Sequence, residues 1–131
     1  MAVTNGFRIE GADIPAIAAA AITKGIVVKI TSDATSGDRR VDVCGTSDIP
    51  FGVALDDMAS GEAGSIRTEG IALVQANGAF TIGDCLCVAA ADGQVDTLAA
   101  DGWALGTALH GATTAGDLAA CKLNIHYQNV P

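Results

Sequence analysis

Apolar and polar residues alternate most cleanly near the end of the chain. From Cys121 to Gln128 the odd positions are apolar and the even positions polar, which predicts a strand with one buried and one wet face. Ile26 to Ile30 is a β-branched run, Arg40-Val41-Asp42-Val43 alternates, and Ser65 to Thr68 alternates less cleanly. Gly70 to Val74 and Cys85 to Ala89 are apolar on both faces. Those two strands are expected to be covered on both sides, by the rest of the fold or by a neighbouring subunit. Ser36-Gly37-Asp38, Asn77-Gly78, Asp92-Gly93 and Asp101-Gly102 supply turns, because these residues tolerate positive φ. Helical periodicity is nearly absent. The pattern predicts an all-β fold, a small β-sandwich or β-barrel.

One stretch is ambiguous. Ile14 to Lys24 is alanine-rich, with Asp13 placed as an N-cap and Gly25 as a C′ residue, so propensity alone would make it a helix. An internal repeat argues for extended chain instead. Thr23-Lys24-Gly25-Ile26-Val27-Val28 resembles Thr81-Ile82-Gly83-Asp84-Cys85-Leu86, and Phe51-Gly52-Val53-Ala54-Leu55 resembles Leu105-Gly106-Thr107-Ala108-Leu109. Gly61-Glu62 and Gly116-Asp117 follow at matching places. The alignment sets Ile14–Ile22 against Ala72–Phe80, which reads as strand and turn. The expected organisation is an extended N-terminal arm, residues 1–13, and one β domain, residues 14–131, built of two pseudo-repeated halves, 14–75 and 76–131.

Composition sharpens this picture. Of the 131 residues, 50% are hydrophobic but only 4% aromatic, so alanine and glycine carry much of the apolar count. Small side chains bury little area at roughly 25 cal/mol per Å². Contacts between subunits are an obvious source of further burial. The net charge is −8, and the seven basic residues are scattered apart from Arg39-Arg40. Clustered cations are what bind phosphate backbones and anionic lipids, so neither nucleic acid nor membrane is an expected partner. Met1 to Gly11 lacks the basic and apolar regions of a signal peptide. The longest apolar stretch, Ile14 to Ile22, contains Pro15 and falls short of the roughly 20 residues of a membrane span. A soluble protein made in a cytoplasm is expected, with Cys44, Cys85, Cys87 and Cys121 as reduced thiols.

The ordered motifs carry a family likeness. Gly52 to Leu55, Ala59 to Glu62, Glu69-Gly70, Gly83-Asp84 and the segment from Gly106 to Leu123 resemble small bacteriophage capsid decoration, or cement, proteins. The likeness runs from about Ile22 to Leu123. It departs where the family places aromatic or aliphatic strand residues and this chain has Cys85 and Cys87. Met1 to Asp13 has no counterpart. The resemblance implies a homotrimer on the outer capsid surface of a virion that binds the major capsid protein and holds neighbouring subunits together. The acidic charge suits the outside of a DNA-filled shell better than its lumen. A fibre or adhesin module that binds a receptor or glycan is the alternative.

Chemistry-bearing residues are sparse. Cys85 and Cys87 share one strand face, but zinc sites pair such motifs with further ligands, and buried apolar cysteines are the simpler reading. His126 lies on the polar face of the last strand, opposite Cys121, so these two do not form a nucleophile–base pair. His110 reads as a solvated side chain. Asp56, Asp57 and Glu62 flank one loop, and Asp92, Asp96 and Asp101 another. No calcium-loop motif accompanies them, and they read as turn-solvating residues. No catalytic residue, cofactor site or metal site is expected, and the chain does not read as an enzyme. Candidate interface residues are Phe7 and Ile9 in the arm, Ile14 beside it, and Trp103. The arm reads equally as an unstructured terminus or as a strand added to another subunit. Trp103 is a core residue by frequency and a hot-spot type by chemistry.

Overall fold

Alternation and turn chemistry resolve into strands throughout. The computed structural model describes residues 3–4, 7–8, 11–33, 35–89 and 92–130, and every helix or strand among them is a strand. The strands are β1 (Val3–Thr4), β2 (Phe7–Arg8), β3 (Gly11–Ala18), β4 (Val27–Ser32), β5 (Arg39–Val43) and β6 (Gly52–Ala54). After these come β7 (Ala63–Gln75), β8 (Cys85–Val88), β9 (Val95–Thr97), β10 (Gly102–Ala108) and β11 (Leu118–Gln128). The alanine-rich stretch is extended, as the repeat argued against propensity. Pro15, which has no N–H to donate, sits where β3 is paired with β7 alone, since β5 joins only at Ile17 and Ala18.

The fold is a barrel, not a sandwich. Strands β3, β5, β4, β6 and β7 pair in that order, and β3 returns to β7 in an antiparallel register from Gly11↔Gly70 to Ile17↔Ala63. The ring is thereby closed and has no free edge. The thirteen-residue β7 then continues. Its first part pairs with β6 and β3, and its last part, from Gly70, pairs with β11. From β11 the order runs to β10, β8 and β9, and Val95 of β9 returns to Ala76, just past β7, through a parallel bridge. The second ring thus repeats the strand order of the first, with β7 common to both.

Hydrogen bonds recur at the positions the repeat aligns. Gly25 N–H donates to Ala54 O at 2.9 Å, and Gly83 N–H to Ala108 O at 2.8 Å. Ala54 N–H donates to Ile26 O at 3.0 Å, and Ala108 N–H to Asp84 O at 2.9 Å. The Ile22–Met58 bridge is matched by Phe80–Ala112. Two glycine pairs explain the motifs. Gly25 and Gly83 have φ of 90° and 91°, so the T-x-G turn needs glycine in both halves. A Cβ on Gly52 would stand 2.5 Å from the carbonyl oxygen of Arg67, and one on Gly106 would overlap that of Lys122. The glycine of [FL]-G-x-A-L therefore admits close passage of the next strand.

Two cores result. Val28, Val41, Ala54 and Ile66 fill the first ring, while Leu86, Val95, Leu105 and Leu123 fill the second. Val27 and Val53 point the other way from Val28 and Ala54 and join the second core, so the start of β4 and all of β6 are buried on both faces. For Gly70–Val74 and Cys85–Ala89 the rest of the fold covers one face fully and the other only in part. In those stretches Ala72, Val74, Leu86 and Val88 are buried, but Ile71, Leu73, Cys85 and Cys87 are only half-buried. The second ring covers its neighbour's strands and leaves the outer faces of β7 and β8 partly open. The alternation of β11 also ends early. Beyond Leu123 the strand has left β7 and pairs only with β10, so Ile125 is half-buried and Tyr127 exposed.

Gly106→Ala should lower stability by about 1–3 kcal/mol, because the added methyl has no space against the β11 backbone. Urea denaturation measures this, and an unchanged midpoint would contradict the close-packing account.

Candidate functional site

The cysteines do not form a site. Cys44 and Cys121 are fully buried, Cys85 and Cys87 half-buried, and none is paired with another. Burial pushes the Cys44 thiol up to about 11 and the Cys121 thiol up to about 12, and it raises Cys85 and Cys87 as well. All four are therefore protonated, weakly nucleophilic thiols near neutral pH. Among the described residues no three His, Cys, Asp or Glu side chains gather to hold a metal ion. No helix among them is long and apolar enough to cross a membrane.

The acids have structural work that their loop positions only hinted at. Asp57 accepts the Lys24 N–H at 2.8 Å, Glu62 the Ala59 N–H at 2.6 Å and Asp84 the Thr81 N–H at 2.8 Å. Asp117 accepts from the N–H groups of Thr113 and Thr114. Each carboxylate closes a turn by taking donors that no strand supplies. Backbone N–H donors hold three carboxyls below the ordinary range: Thr35 for Asp33, Gly45 for Asp48, and Thr113 with Thr114 for Asp117. Lys29 and Arg40 add to the effect at Asp48 and Asp33, with ion pairs of 3.0 Å each. Arg67 grips Asp13 through Nε and Nη2 at 2.9 and 3.2 Å and donates Nη1 to Ile71 O at 2.9 Å, tying the start of β3 to the bend of β7.

His126 is fixed, not freely solvated. Its Nδ1 lies 2.7 Å from Asn124 O and its Nε2 3.0 Å from Gln128 Oε1. Two oxygen acceptors favour the doubly protonated ring, led by the Asn124 carbonyl, and raise its pKa above 6.5. Cys85 Sγ donates to the same Gln128 oxygen at 3.6 Å, which joins β8 to the end of β11.

The candidate interface residues lie apart in the fold. The backbone of Phe7 is in β2, opposite Thr4, and Ile9 lies outside the described residues. Ile14 is half-buried in β3, opposite Ile66 in the first ring. Trp103 is half-buried in β10 of the second ring, and its indole meets Tyr127 edge-on at 5.6 Å between centroids. Clefts in the surface are shallow. One, about 680 Å³, is lined by Ile22, Ile26 and Met58 and by Asp57, Glu62 and Asp92 among others, and its lining holds neither histidine nor cysteine. These acids already accept backbone N–H groups. Among the described residues the exposed large apolar side chains are instead Ile30, Ile49, Ile82, Leu118 and Tyr127. Ile30 and Ile49 line a groove of about 540 Å³ with Pro50 and Phe51. Sequence reasoning passed over Ile49, although it stands as far ahead of Gly52 as Trp103 does of Gly106.

Comparison with known proteins bears on this surface. A family model described as phage cement protein matches residues 8–123. Curated protein sequences give no match. Among solved structures, the head fiber gp8.5 N base of bacteriophage phi29 is similar in fold, with a TM-score of 0.70 at 17% identity over 86% of this chain and 93% of that chain.

Stability should fall as pH drops below about 3.8, where the unfolded carboxyls protonate, because Asp33, Asp48 and Asp117 titrate lower in the folded state. His126 works in the opposite sense. Its contribution is complete below 6.5 and is lost as pH rises through its raised folded value. Urea midpoints across pH and the NMR titration of His126 measure both. A flat acid limb, or a His126 midpoint below 6.5, would contradict these assignments.

Proposed function

The chain belongs to the phage cement protein family, and from that premise we propose that it decorates the outside of the capsid, binding the major capsid protein lattice as a homotrimer. It is a capsid-associated structural protein of a bacteriophage virion. In this reading it stabilises the shell by bridging. Each copy buries area against two or more capsid subunits, so the lattice cannot come apart without breaking those contacts too. Three linked copies raise the effective concentration of each remaining contact once the first has formed.

The observation that carries the reading is the division of labour in the surface. Polar catalytic groupings are not what the rings present. The carboxylates close turns, the thiols are buried or half-buried, and apolar side chains such as Ile30 and Ile49 stand in the open. A rigid barrel pair with exposed apolar side chains suits binding to protein. The residues before β3 act as an arm and the rest as the body, which starts at Gly11 and not at residue 14 because Gly11 to Asp13 pair with β7. β1 and β2 pair only with each other among the described strands, and a pair of two-residue strands has little stability without something to pack on. Phe7, Ile9, Ile14 and Trp103 are the proposed contacts on this basis. A fibre or adhesin module stacking sugars on the Trp103–Tyr127 pair is the second reading.

Adding the protein to capsids assembled without it should raise their melting temperature and place extra density at threefold positions in electron cryomicrographs. Capsids that neither bind the protein nor melt higher would contradict the proposal.

A further inference from the structure

The duplication extends to the surface. Ile49 and Trp103 each precede the [FL]-G-x-A-L glycine by three residues, so they are equivalent places in the two halves. Beside each runs the equivalent strand. Val28 of β4 pairs with Gly52, and Leu86 of β8 pairs with Gly106. A groove lies along each pair. The first, about 540 Å³, is lined by Lys29, Ile30, Ile49, Pro50 and Phe51 among others. The second, about 270 Å³, is lined by Cys87, Val88, Leu98, Gly102 and Trp103 among others. Cys87 and Val88 are the counterparts of Lys29 and Ile30. Asp48 and Pro50 line both grooves, so the two adjoin. Of the exposed large apolar residues, Ile30 and Ile49 lie in the first groove, and Tyr127, 55% exposed, packs edge-on against Trp103 of the second. Ile82, in the second T-x-G turn, and Leu118, at the start of β11, line neither.

The charges of this face are nearly cancelled on a chain whose net charge is −8. Lys29 and Asp48 pair at 3.0 Å, and the remaining charged side chain in the two linings, Asp101, accepts the Val130 N–H. An uncharged occupant fits here. A basic peptide or an anionic ligand finds no matching charge.

We propose that the adjoining grooves form a bivalent docking surface, in which each groove takes the same apolar segment from one of two neighbouring capsid subunits. A duplicated site on a duplicated fold suits a duplicated ligand, and a shell lattice offers identical segments at fixed spacing. The assignment rests on the decoration reading and adds to it the face that docks and the number of subunits gripped. Trp103 and Tyr127 supply the rigid aromatic anchor of one half-site, and Ile30 and Ile49 the aliphatic anchor of the other.

The test measures binding of the full chain to capsids assembled without it, using Ile49→Asp in the first groove, Trp103→Gln in the second, the double variant, and Ile82→Asp as a control. Tyr127→Asp replaces Trp103→Gln if the latter fails to fold by circular dichroism. Each single change should weaken binding by about tenfold or more, the double change should abolish it, and the control should stay within about twofold of the parent. Loss confined to one groove would overturn the bivalent assignment. Unchanged capsid binding by all variants would overturn the surface while leaving decoration standing. A change in the sedimentation of the free protein, with capsid binding intact, would assign the grooves to contacts between copies of this chain and overturn the proposal. If the parent protein binds no capsid, the decoration reading itself fails.

Discussion

The structure depends on one constraint: the first two residues of β4, Val27 and Val28, and the whole of β6 are buried on both faces. Val28 and Ala54 fill the first ring, and Val27 and Val53, their neighbours in sequence, fill the space against the second. The Val27 N–H donates to Gly93 O at 3.1 Å, so the β8–β9 hairpin is hydrogen-bonded to β4 across the junction. Together with β7, which serves as a wall of both rings, this contact turns two small barrels into one body. Neither ring has a large core of its own. Alanines such as Ala72, Ala76 and Ala119 occupy positions where larger side chains would add more buried area. The shared wall makes up for part of that shortfall.

Small residues also set how closely the strands can approach. Gly52 and Gly106 let β7 and β11 pass within contact of their backbones, and the buried Ala54 and Ala108 follow two residues later. The composition that limits the area each side chain can bury is thus the composition that two narrow rings require. The same economy applies to charge. Acidic side chains fold back onto turn N–H groups, and basic ones such as Lys29, Arg40 and Arg67 are held by acids, which leaves little functional chemistry on the surface.

Much of this was legible in the residues. The T-x-G and [FL]-G-x-A-L motifs located the repeat, and the repeat outweighed helix propensity at Ile14–Lys24, where β3 closes the first ring. Ring closure itself left no local mark, because β3 joins β7 across a long stretch of sequence and meets β5 through only two residue pairs. The extent of burial within the chain was hidden for the same reason. Gly70–Val74 and Cys85–Ala89 look apolar on both faces, yet which strands become doubly covered depends on how the rings meet, and that is decided by Val27, Val53 and Gly93. Trp103 drew attention as the lone tryptophan. Its counterpart Ile49 carried no such chemical flag and could have been found only by following the repeat beyond its motif. Asp57 and Glu62 read as turn-solvating residues, but a linear sequence does not show which backbone donors lie unpaired, so their partners at Lys24 and Ala59 were not legible.

In the proposed role the body carries load between capsid subunits, and one that opened at its own junction would carry none. Amide hydrogen exchange under native conditions tests this most directly. Strand amides of the first ring, such as Ala54, and of the second, such as Ala108, should exchange through a single opening reaction with one free energy, because the rings share β7 and a continuous buried wall. Exchange in which one ring opens alone, at a free energy lower by about 2 kcal/mol or more while the other stays protected, would contradict the account.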